Sequence, residues 1–94
     1  MTDDNTVYVG KKGTMAYVLA VITQMNQLNA TEVTIKARGK AISRAVDVSE
    51  IVKNKFFKQI ETAGIRTSTE EMQTEEGTPI KVSAIEILLK KTQP

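Results

Sequence analysis

Between Thr31 and Val48 the spacing of apolar residues changes, and a glycine stands at the change. Val33, Ile35 and Ala37 alternate with Glu32, Thr34 and Lys36, the period of a half-buried strand. Beyond Gly39, Ile42, Ala45, Val46 and Val48 recur at helical spacing. A strand must therefore end and a helix begin within a few residues, with Arg38 and Lys40 at the turn. Gly39 allows the backbone a left-handed or close-approach conformation that a side chain resists. The same nine residues, Lys36 to Arg44, hold four cations (Lys36, Arg38, Lys40, Arg44) and no acid. A turn into a helix presents unpaired N–H groups beside long cationic side chains, a combination that suits a phosphate. A solvated loop carrying ordinary surface cations is the other reading.

Composition narrows the classes of function. Ninety-four residues make one small domain, 1–94, with 1–5 expected as a disordered lead. The chain has no Cys and no His, so disulfides, thiol chemistry and the commonest general base and metal ligand are all missing. Asp47 and Glu50 stand one turn apart, but such a pair on a charged helix is ordinarily solvated or paired with Lys. The expectation is a protein without catalytic residues, metal or cofactor. No stretch is apolar enough to span a bilayer and none resembles a signal core, which points away from membranes and toward a cytoplasmic location.

Net charge is only +2, yet it is unevenly placed. Residues 10–60 carry nine cations against three acids, a local +6, whereas 61–94 carry four cations against six acids. A basic centre between acidic flanks implies a surface that faces a polyanion.

In chain order, Thr6 to Val9 reads as a strand with Val7 and Val9 on one face and Tyr8 on the other. Gly10-Lys11-Lys12-Gly13 is a turn, and Thr14 is the expected N-cap of a helix running to Leu28. Met15, Val18, Leu19, Ile22 and Met25 form its apolar stripe, and Asn29 is suited to end it. The second strand spans Thr31 to Ala37. The second helix is expected from Ile42 to Thr62, stopped by Gly64. Its apolar set is too broad for one sheet face, which implies a second chain as cover: Val48, Ile51, Val52, Ile85, Ile87 and Leu89 are the expected dimer interface. Thr67 to Thr69 and Pro79 to Lys90 complete a hairpin with a polar tip. The apolar phase of the last strand switches near Ser83-Ala84, implying a bulge or a change of cover along its length.

The order β-α-β-α-β-β defines an α+β two-layer sandwich: a four-stranded mixed sheet, both helices on one face, and an extended hairpin of the last two strands. Both strand-to-helix turns then lie at one end of the sheet, so Lys11 and Lys12 converge with Arg38 and Lys40. Convergence of two cationic clusters favours a functional anion site over scattered solvated charge. The aromatic residues, Tyr8 among them, read mostly as packing groups, which favours duplex backbone binding over stacking of unpaired bases.

Gly10-Lys11-Lys12, Tyr17 to Val21, Ile35 to Asp47 and Val82 to Ile87 closely resemble the Alba (Sac10b) family of archaeal chromatin proteins, in order and over nearly the whole chain. The resemblance implies a homodimer that binds double-stranded DNA, and RNA, without sequence preference, coating or compacting chromosomal DNA in the nucleoid. By motif position it implies backbone contacts by Lys11, Lys12, Arg38, Gly39, Lys40 and Arg44, with weaker ones from Arg66 and Lys81 on the hairpin arm. Lys11 looks like the lysine whose acetylation weakens DNA binding, which implies an acetyltransferase and a deacetylase as partners. Phe56 matches an aromatic used between dimers on DNA. Gly13 stands where the family usually has Pro, Ala16 where it has Asn, and the tip Glu75-Glu76-Gly77 lacks the Arg that often follows the Gly. A ribonucleoprotein scaffold, like the family's relatives in ribonuclease P, is the alternative that the same charge pattern would serve.

Overall fold

The structure, a computed structural model, describes residues 5–27, 29–56 and 58–92. Its elements are β1 (Thr6–Tyr8), α1 (Thr14–Asn26), β2 (Glu32–Arg38), α2 (Ile42–Ile51), β3 (Ile60–Gln73) and β4 (Pro79–Lys91). The strands form one sheet in the order β1-β2-β4-β3. β1 runs parallel to β2, and the other two pairings are antiparallel. This is the expected mixed four-stranded α+β architecture.

The alternation along β2 decides which face is covered. Val33, Ile35 and Ala37 are buried, and they join Val18, Val21 and Met25 of α1 and Ala45 and Val48 of α2 in one core. Ile85, Ile87 and Leu89 extend it on β4. Lys91 closes the far end, its Nζ donating to the carbonyl of Met25 at 3.1 Å, where a cation complements the negative end of α1. Asn29 takes φ 56°, the left-handed conformation expected just beyond that helix.

Some expectations need correction. Thr14 is the first residue of α1 and caps nothing; Gly13 holds the cap position without a side-chain bond. The second helix ends at Ile51, passes through a π-helical turn at Val52–Phe56, and gives way to a strand at Ile60. Ile60 and Thr62 pair with Lys91 and Leu89, so a long-range ladder overrides the continuing helical pattern. Gly64, expected as the helix stop, lies instead at a register shift in β3.

The residues expected at a dimer interface are mostly interior. Val48, Val52, Ile85, Ile87 and Leu89 are buried in the chain's own core, leaving only Ile51 of that set partly accessible. Both helices share one side of the sheet, so these five are covered within a single chain, while Val46 and Phe56 of the same apolar set stay exposed.

Beyond Ala84 and Ile85 the hairpin leaves the body. Ladder pairing continues without a shift to Gln73 and Pro79, while Ile80 and Met72 are exposed. The phase switch in β4 is therefore a loss of cover and no bulge. At the tip, the Gly77 amide donates to the Thr74 carbonyl at 2.9 Å, and Gly77 takes φ 85°. The arm stretches the molecule to 48 Å in its longest dimension.

Candidate functional site

Both strand-to-helix loops lie at the same end of the sheet, and side chains from both helices hold the first one. Arg44 on α2 donates from Nη1 to the carbonyl of Gly10 at 2.6 Å. Tyr17 on α1 accepts from the Lys12 amide at 3.0 Å through its hydroxyl. That hydroxyl would also lie in ordinary contact, 3.4 Å, with a Cβ placed on Gly10, so it packs closely on the loop's first residue. Lys11 and Lys12 are thereby presented outward on a braced loop, both exposed.

The second loop turns on Gly39, whose φ of 55° is the left-handed conformation expected for it. Arg38 precedes it in extended conformation, and Gly39–Ala41 form a single 3-10 turn into α2. Arg38 and Lys40 are both exposed. The two loops meet around a groove of about 520 Å³ whose lining includes Tyr8, Gly10, Lys11, Lys36, Arg38 and Lys40, together with Glu70 and Glu86.

The cations of this surface divide into two groups. Arg38 lies 3.5 Å from Glu70 through Nε and reaches Met72 Sδ at 3.2 Å through Nη1, both on β3. Lys36 lies 3.8 Å from Glu86 and 5.9 Å from the centre of the Tyr8 ring. Among the described residues, no acid lies within ion-pair distance of Lys11, Lys12 or Lys40. Arg44 is half-buried and committed to Gly10, which sets it apart from the outward cations with which its sequence neighbours group it.

On the arm, Arg66 stands opposite Glu86 and Lys81 opposite Glu71, so each expected arm cation faces an acid across the ladder. Phe56 is 46% exposed at the end of the π-helical turn, and its neighbour Phe57 lies outside the described residues. The sequence reading missed two features. One is the Arg44 brace, whose acceptor is 34 residues away in sequence and announced by no local signal. The other is Tyr8, expected as a packing group but 67% exposed at the groove. Its position between Val7 and Val9 already set it on the opposite face of β1.

Fold and loops together define a small α+β domain that collects unpaired cations where two strand-to-helix turns meet. The chain belongs to the Alba family: the family model described as Alba matches residues 5–69. The chain is 58% identical over 88 residues to the DNA/RNA-binding protein Alba of Methanococcus maripaludis, covering 94% of this chain and 99% of that one. It is 54% identical over 91 residues to the DNA/RNA-binding protein Alba of Methanocella arvoryzae, covering 97% and 94% respectively. Among solved structures, Alba from Thermoplasma volcanium matches with a TM-score of 0.87 at 53% identity, covering 93% of this chain and 100% of that one.

Proposed function

We propose that this chain binds nucleic acid by its phosphate backbone, without reading base sequence, and that it does so as a homodimer coating duplex DNA on the chromosome. The observation that carries the reading is the set of unpaired cations, Lys11, Lys12 and Lys40, on two loops fixed at one end of the sheet. Relatives named DNA/RNA-binding proteins support nucleic acid as the ligand class. Duplex RNA offers the same phosphates, so an RNA scaffold is the second reading, favoured by those same names. Dimerisation would use the accessible Ile51 and the 62% exposed Ile65, and Phe56 would contact neighbouring dimers. Acetylation of Lys11 would remove one of the three unpaired charges and weaken binding.

Titration against duplex DNA and duplex RNA over a range of salt tests this directly. Three phosphates per chain, six per dimer, give a slope near 5 in log affinity against log salt, at roughly 0.9 per phosphate. Lys40→Ala in both chains should flatten it by about 2, with equal losses on unrelated sequences. A flat salt dependence, or a loss confined to one sequence, would mean that the cations do not clamp the backbone.

A further inference from the structure

We infer that the groove between the two loops is a stacking site for one unpaired nucleobase, with Tyr8 as the platform and the loop lysines holding the flanking phosphates. The inference rests on the backbone-clamp reading and adds a ligand to it: single-stranded nucleic acid, DNA or RNA.

The open face of the sheet carries a row of side chains across all four strands. Tyr8 is in register with Lys36, Lys36 with Glu86, and Glu86 with Arg66. Residues in register share a face, so the Tyr8 ring stands at the β1 end of a charged ladder on the side that no helix covers. Lys36 approaches the ring at 5.9 Å, yet Tyr8 stays 67% exposed, so the ammonium covers only part of it. Tyr8 is the most exposed large hydrophobic side chain among the described residues, and its neighbour Val7 is buried on the other face. It offers an apolar face that, among the described residues, only Lys36 partly covers.

Charge around the ring is graded in a way that suits a nucleotide. On the floor, Lys36 is matched by Glu86 and Arg38 by Glu70, so a phosphate gains little there. At the rim, Lys11 and Lys40 have no acid within ion-pair distance among the described residues. A neutralised floor beside an aromatic wall accepts a base, whereas an unpaired cationic rim accepts the phosphates on either side of it. The volume, about 520 Å³, falls within the range of small-ligand sites and leaves room for a base with its sugar. A base inside a duplex cannot use this site, because both its faces are already stacked. The groove therefore distinguishes unpaired strands from duplexes, which the clamp alone does not.

The test compares a labelled oligo(dT) of about a dozen nucleotides, which stacks little on itself, with an abasic strand of equal length and a duplex. The abasic strand has every phosphate and no base. Wild-type protein should bind oligo(dT) tighter than the abasic strand by roughly 5- to 100-fold, the effect of one base stacked on an aromatic ring. Tyr8→Ala should erase that margin while leaving duplex affinity and its salt slope unchanged. The chain has no Trp, so the indole of a Tyr8→Trp variant is a unique reporter. Its fluorescence should be quenched by oligo(dT) and not by the abasic strand. Equal affinity of the wild type for the two strands, or an unquenched indole with oligo(dT) bound, would overturn the proposal. The duplex arm reads the clamp separately: loss of its salt dependence fails that reading, whereas a normal duplex arm without the base margin fails only the stacking site.

Discussion

Replacing Arg44 separates a brace from a phosphate contact. Its sequence neighbours are outward cations, but its guanidinium donates to the Gly10 carbonyl at 2.6 Å and ties α2 to the loop that carries Lys11 and Lys12. A hydrogen bond involving a charged group contributes about 1.5–3 kcal/mol, and half-burial places this one near the lower end. Arg44→Ala should thus lower stability by about 1.5 kcal/mol, a fall of roughly 6–12 °C in Tm for a domain of this size. Thermal unfolding followed by circular dichroism at fixed protein concentration reads that change. Duplex affinity should fall as well, because the Gly10–Gly13 loop loses one of its two anchors. The salt slope should stay where it was, since this guanidinium is turned to the Gly10 carbonyl and meets no phosphate in the brace reading. Arg44→Lys keeps the charge but not the planar donor fork, and should recover only part of the stability. An unchanged Tm together with a slope flattened by about 0.9 per chain would make Arg44 a phosphate contact and refute the brace.

Glu70→Gln should release Arg38 from its 3.5 Å partner, steepening the salt slope by up to about 0.9 per chain and tightening duplex binding at low salt, with little change in stability because both groups are about half exposed; an unchanged slope would show that Arg38 does not reach DNA even when free. Ile65→Asp should turn the proposed dimer into a monomer in sedimentation velocity at micromolar concentration without unfolding the chain, since Ile65 is 62% exposed; a dimer that persists would move the interface elsewhere.

What the sequence made legible was local. The alternation Val33-Ile35-Ala37, the glycine of the second turn and the cations on either side of it all lie within a dozen residues, and each appears where expected. The end of α2 was not legible. Val52, Phe56 and Ile60 continue the spacing of a helix, and what removes Ile60 from it is pairing with Lys91, which no local pattern announces. Counting apolar residues also failed to separate interior from surface. Such a count cannot tell that α1, α2 and β4 bury Val48, Val52, Ile87 and Leu89 among themselves. For the site, residue types were readable while their pairing was not. Arg38 and Lys40 look alike in sequence, and only the fold sets Glu70 beside one of them.

That pairing bears on why a basic surface carries acids at all. Glu70 and Glu86 face the groove, each matched to one cation, and the outer arm from Glu70 to Lys81 holds four acids against one Lys. If every cation at this end met a phosphate, each addition would raise affinity by the same counterion-release increment and slow dissociation in step. Matching Arg38 and Lys36 internally leaves three unpaired lysines per chain to do so. The same ion pair has a second effect, because Arg38 meets Glu70 and Met72 at the point where β3 leaves the body. Beyond it the arm has no apolar cover and is held by its ladder and its turn. Glu70 thus moderates the cationic surface and sits at the root of the arm, so a phosphate that drew Arg38 away would break a contact there.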